Sequence, residues 1–307
     1  MYRMASILFC LLLIFVCDSV YSQKLNIKPE RPVDLSAIYK SNTSSLTQIS
    51  KSANDLFYLV DVGLNRVVMI DSSGIVKREI GGFGWQLEQF DQPMDIWAEN
   101  ALDVFVADFN NSRIQRFDRH LNFVTAIIGN ELDDSDMQFA FPVALTFSQF
   151  GDLFIIESDL DRAIKFDEIG NPLLAFGDYD EGAGQLNQPV AICINKMNEI
   201  FISDAGQHCI FKYDYYGNFQ QQISLPTLQQ PGSIACNGEF VFVIDKAGSQ
   251  IVIMSSRGEE IMHFTTNKTT ANQESSLDDI CIQKNRLYIL DNSRKRIDCY
   301  NLASVSR

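Results

Sequence analysis

Apolar and polar positions alternate on two scales along this chain. On the short scale, runs of four to six β-branched, aromatic and aliphatic residues are bounded by Gly, Pro, Asn and Asp, the signature of short strands. On the long scale, one such run recurs six times and ends each time in an acid: Asp61, Asp108, Glu157, Asp204, Asp245 and Asp291, at spacings of 47, 49, 47, 41 and 46 residues. A second apolar line begins five residues after each acid. It opens with Arg66, Arg113, Arg162 and Arg296 in four copies and with Cys209 and Gln250 in the other two. Upstream of the acid run, Pro93, Pro142 and Pro189 each open a further short strand, and polar pairs such as Gly151-Asp152 and Asn198-Glu199 supply a tight turn. A fourth strand follows, as at 75–80 and 123–128. No stretch after residue 22 has helical periodicity.

Four antiparallel strands repeated at this period are the blade of a β-propeller. The expected fold is all-β: a single six-bladed propeller over residues 23–307. The sixth unit has an inner strand near 277–282 and no room for a fourth strand before residue 307, whereas residues 32–39 are spare at the other end. This N-terminal segment is expected to complete the last blade and close the ring, because an open edge invites aggregation. Residues 45–50 then form the inner strand of the first blade.

Composition changes this picture little. The chain has 307 residues, 46% of them hydrophobic, and a net charge of −14, which disfavours binding to nucleic acid. Residues 1–22 carry Arg3, then an uncharged apolar run from Met4 to Cys17 that is too short to span a bilayer, then Val20-Tyr-Ser22, which ends in a small residue suited to cleavage. They read as a secretory signal cleaved near Ser22, making the protein secreted or periplasmic. The alternative is a membrane anchor formed by the same segment. The mature chain offers no second span and is expected to be a monomer. Removing Cys10 and Cys17 leaves five cysteines, an odd number without a C-x-x-C pair, which read as buried thiols rather than a disulfide or zinc framework. Sequons stand at Asn42, Asn110 and Asn267.

The line from Asp108 to Asp118, Asp-Phe-Asn-Asn-Ser-Arg-Ile-Gln-Arg-Phe-Asp, resembles the signature of NHL repeats. So does the loop from Phe176-Gly-Asp to Gly184-Gln-Leu-Asn-Gln-Pro189. The resemblance covers about residues 45–302 and is weakest in the fifth unit. It implies a propeller of a family used mainly to bind proteins, RNA or ligands, with a minority of enzymes.

The recurring acid and Arg (Asp61 with Arg66, Asp108 with Arg113, Glu157 with Arg162, Asp291 with Arg296, and the lone Asp204 and Asp245) are read as structural, since a feature of nearly every blade belongs to the construction of the blade. The family's amidating lyase holds zinc with histidines, one just after a strand-opening Pro; Met94, Val143 and Val190 stand there in this chain. His120, His208 and His263 fall in a turn, a loop and an outer strand, which argues against a shared metal site. Gluconolactonase-like hydrolases hold calcium with carboxylates in the channel, and Asp95, Asp278 and Asp279 are the inner-strand acids here. Acidic loops cluster around the third blade: Asp133, Asp134 and Asp136, then Asp159 and Asp161, then Asp178, Asp180 and Glu181. No cofactor is required by these patterns, and calcium is the ion such an acidic rim would suit. The same face carries Phe83, Trp85 and Phe90, candidate anchors for a partner. The reading is a non-catalytic binding module for a protein, peptide or glycan outside the cytoplasm. The alternative is a calcium- or zinc-dependent hydrolase or lyase working from the central channel, which would need converging ligands with an open metal position.

Overall fold

The computed structural model describes residues 25–39, 41–266 and 276–304. The signal segment and the Asn267 sequon lie outside these residues. Two strands, β1 (Leu25–Pro29) and β2 (Val33–Asp34), precede the ring. Blade one is β3 to β6: Leu46–Lys51, Leu56–Asp61, Arg66–Asp71 and Val76–Gly81. Blade two is β7 to β10: Pro93–Trp97, Asp103–Asp108, Arg113–Asp118 and Phe123–Ile128. Blade three is β11 to β14: Pro142–Phe147, Leu153–Glu157, Arg162–Phe166 and Pro172–Phe176. Blade four is β15 to β18: Pro189–Ile194, Ile200–Asp204, Cys209–Tyr213 and Phe219–Ile223. Blade five is β19 to β22: Pro231–Cys236, Phe240–Asp245, Gln250–Ser255 and Glu260–Phe264. Blade six has β23 (Leu277–Gln283), β24 (Arg286–Asp291) and β25 (Arg296–Ser304), with β1 as its outer strand. Each blade is an antiparallel sheet running from an inner to an outer strand, and the six inner strands neighbour one another in a closed ring.

The second and third strands are mostly apolar between their polar ends because both of their faces are covered by neighbouring blades. Every residue of β12, β13 and β16 is buried. Outer strands keep water on one side, and β18 has Gln220, Gln221 and Gln222 exposed. The core is accordingly six separate wedges rather than one mass. One holds Val60 and Val67 of blade one against Ile96 and Val106 of blade two; another holds Phe57 and Leu59 of blade one against Leu290 and Ile297 of blade six. Each wedge needs both of its blades, so no blade buries its apolar faces alone.

Closure differs in detail from expectation. The outer strand of blade six is Leu25–Pro29, paired with β25 from Leu25↔Ser304 to Pro29↔Tyr300. The segment 32–39, expected to form it, contributes only Val33 and Asp34 to the same ladder, opposite Ile297 and Arg296. Pro29 ends the first stretch, and beyond Asp34 the chain turns inward to bury Leu35 and Ile38 in the wedge between blades one and six.

Turns between third and outer strands follow one design. The acids Asp71, Asp118, Asp167 and Asp214 accept main-chain N–H bonds from the second and fourth residues beyond them, for example Ile169 at 3.0 Å and Asn171 at 2.8 Å on Asp167. The third residue lies in the left-handed region, where Gly170 has φ +93°, a conformation that suits glycine.

Candidate functional site

Loops that join second to third strands, and loops that leave one blade for the next, share the upper face. Here the recurring acid does its work. All six acids are fully buried. Asp108 accepts the main-chain N–H of Asp91 at 2.9 Å and Nε of Arg113 at 2.7 Å. Arg113 then donates through Nη1 to the Trp85 carbonyl and through Nη2 to those of Gln86 and Gln89, each at 2.9 Å. Glu157 and Arg162 repeat the pattern, with Arg162 on the carbonyls of Asp136 and Gln138, and Arg66 reaches that of Ile38. The pair is a brace that ties the incoming loop's backbone to the blade.

Where Arg is missing, an amide substitutes. Gln250 Nε2 donates to Asp245 at 3.2 Å and to the Thr227 carbonyl at 3.0 Å, and Gln207 Nε2 reaches the Gln185 carbonyl at 2.8 Å. Blade six departs from expectation: Arg296 pairs with Asp298 at 2.8 Å, and Arg294 stands 3.4 Å from Asp291 in its place. Two residues nearer the acid, Arg294 has the shorter reach across the loop.

The three expected upper-face aromatics separate. Phe83 and Trp85 are 70% and 76% exposed, but Phe90 is 0% exposed. Phe90 packs with Phe117 in the wedge between blades one and two and is therefore a core residue, not a partner anchor. Tyr179, in a loop the sequence marked only by its acids, is 82% exposed.

The central channel encloses about 670 Å³, a size typical of small-molecule sites. At one level its wall carries Asp95 of blade two, Ala144 and Ala191 of blades three and four, Ser233 of blade five and Asp279 of blade six. Sequence reasoning singled out both acids, and both are spoken for. Asp95 accepts the main-chain N–H groups of Ile96 and, across the blade boundary, Leu145, each at 2.7 Å. Asp279 accepts those of Ile49 at 2.7 Å and Ile280 at 2.8 Å, and the hydroxyl of Ser233. They staple blade two to three and blade six to one and five. Burial pushes Asp95 up to about 7, helped by the nearby Asp279 charge. Burial likewise pushes Asp279 up to about 6 against its hydrogen bonds. Asp278, which accepts the N–H of Asn292 at 2.8 Å, is raised by burial to about 6. Glu99, toward the lower end, reaches channel water, yet the protein around it raises its carboxyl.

Among the described residues, no three His, Cys, Asp or Glu side chains gather closely enough to hold a metal ion. The loop acids are spread along the rim. Asp134 accepts the N–H of Asp136 at the start of a single helical turn, Ser135–Met137. Asp159 and Asp161 line a groove of about 570 Å³ with Leu160, Tyr179 and Gln207. Asp178 lies in the loop leaving blade three; the side chains of Asp180 and Glu181 are outside those described. His120, His208 and His263 fall in the turn, the loop and the outer strand expected of them. No described helix is long and apolar enough to cross a membrane.

A family model, the NHL repeat, matches residues 186–213, which hold the first three strands of blade four. Among curated proteins, no sequence matches. Solved structures do. A streptogramin B lyase structure superposes with a TM-score of 0.63 at 15% identity, covering 91% of this chain and 98% of its own. A catalytically inactive virginiamycin B lyase from Staphylococcus aureus with quinupristin gives 0.62 at 13% identity, covering 91% and 100%. A chain in a nidogen/laminin complex gives 0.59 at 14% identity, covering 74% and 82%. At these identities the likeness is one of fold, and the chain is a six-bladed β-propeller that carries an NHL repeat in its fourth blade.

Proposed function

We propose that this protein is a non-catalytic binding module, exported through its N-terminal segment, whose upper face holds a partner protein, peptide or glycan. One observation carries the reading. The main chain of the loop bearing Trp85 is fixed by three Arg113 bonds, while the Phe83 and Trp85 rings stand in water. A rigid backbone presenting exposed aromatics has little ordering entropy left to lose on binding. The channel acids favour the same reading, because their oxygens are engaged by main-chain donors of adjacent blades. A second reading, a lyase or hydrolase, draws on the lyases with this fold and on the raised Asp95 and Asp279 carboxyls.

The test is quantitative capture from native extracellular fluid, using residues 23–307 and the Trp85→Ala variant as paired baits. Partners enriched on the first and lost at least about tenfold on the second, at equal melting temperature, support the module. Identical capture by both baits removes the upper-face reading. Turnover of a trapped compound that vanishes in Asp95→Asn would replace it with the enzyme.

A further inference from the structure

The upper face is charged unevenly. Its loops at 82–92, 129–141, 158–161 and 177–188, leaving blades one to three and crossing blade three, hold eleven Asp and Glu and no Lys or Arg. Across the channel, loops 246–249 and 292–295 hold Lys246, Arg294 and Lys295 and no acid. Large apolar side chains are exposed on the acidic side: Phe83, Trp85 and Leu87 in the first loop, Leu160 in the third and Tyr179 in the fourth.

These loops form one surface. Asn111 donates to the Gly84 carbonyl at 2.9 Å, tying the loop after β8 to that bearing Trp85. The Phe109 and Phe141 rings, 5.1 Å apart, join it to the loop entering blade three. Arg162 holds that loop to blade three, and Asp159, Leu160, Asp161 and Tyr179 share the groove beyond. Among the described residues, Asp133, Asp134, Asp136, Asp159 and Asp161 make no ion pair with a base.

The two properties together select an occupant. Covering the apolar groups strips water from neighbouring carboxylates, which is costly unless the partner brings opposite charge. A second copy of the same face, a nucleic acid or an acidic peptide would add repulsion. A Lys- or Arg-bearing segment supplies the charge, is steered in from a distance, and lays its methylene stem or guanidinium on exposed rings such as Trp85 and Tyr179. We propose that the sector of the upper face from Phe83 to Tyr179 docks a basic segment of a partner protein, anchored by an apolar side chain. This rests on the binding-module reading and adds the partner's chemistry to it.

The experiment pans a random dodecapeptide library on immobilised residues 23–307 and measures the enriched peptides by fluorescence anisotropy. The expected peptides are net positive with at least one aromatic or Leu, and bind about tenfold more weakly at 300 than at 50 mM salt. They lose at least about fivefold in affinity to Trp85→Ala, to Tyr179→Ala and to the Asp159→Asn/Asp161→Asn pair, each checked for an unchanged melting temperature. Neutral or acidic peptides that still need Trp85 and Tyr179 would overturn the charge inference and leave the binding reading standing. Peptides indifferent to all of these substitutions would sink both. A dimer in sedimentation that Trp85→Ala dissolves would assign the surface to a second copy and overturn the proposal.

Discussion

Arg113 shows how a single side chain serves both fold and surface. Its guanidinium satisfies a fully buried carboxylate and three loop carbonyls at once. Arg113→Ala leaves Asp108 charged and unpaired in the interior, at a cost of roughly 3–5 kcal/mol. Arg113→Lys recovers little of this, since an ammonium cannot reach the carboxylate and the carbonyls together. Thermal melts of the two variants check this, and a loss below about 1 kcal/mol for Ala would contradict the brace. The channel acids give a pH signature of opposite character. Asp95 and Asp279 are raised in the folded state, so between about pH 4 and 7 the folded chain binds more protons than the unfolded one. Stability from this source is present at low pH and is lost as pH rises through the two values. The turn acid Asp71, lowered by Lys77 and its Ser73 bonds, works the other way and loses its contribution as pH falls below about 4. The melting temperature should therefore peak near pH 5 and fall toward pH 8. Asp95→Asn should flatten the fall, and an unchanged slope in that variant would place the effect elsewhere.

Strands were far more legible than their roles at the base of each blade. The period, the acid and the Arg line are contiguous in sequence, so six blades could be read directly. A second set of braces could not, because it draws on several strands. Lys165 sits 3.0 Å from Asp152 and 3.5 Å from the Tyr215 ring centroid, and Lys212 and Arg116 repeat the pairing with Glu199 and Asp103. In blade one the cation is Lys51 of the inner strand, above Phe57, so no fixed spacing announces it. The aromatic run 83–90 hides which ring is buried for the same reason: Phe90 is chosen by the wedge it meets, not by its neighbours in sequence. The closing strand was missed because an outer strand touches little; Leu25 and Ile27 are its two apolar contacts with the wedge between blades five and six. Residues 32–39 carry the stronger apolar signal because Leu35 and Ile38 belong to the core. Deleting residues 23–29 should expose the edge of β25, lower the melting temperature by several degrees and promote association at high concentration. A monomer of unchanged stability in light scattering and melting would show that β1 is dispensable.

As a whole molecule, the protein is a ring in which cohesion is distributed. Six wedges of similar make-up carry the apolar burial, the channel staples cross several of their boundaries, and the upper face gathers eleven loop acids over blades one to four. That arrangement lets the loops over blades one to four vary in chemistry without disturbing the frame beneath them. The ring's single seam has a mechanical consequence. Leu25 and Ser304 face each other at the same end of an antiparallel ladder. A load applied between them would peel the seam one hydrogen bond at a time, like a zipper, instead of shearing the whole ladder together. The same propeller gripped through Trp85 and Tyr179 would carry tension across blades joined by continuous chain, so a load applied there would fall where the ring is strong.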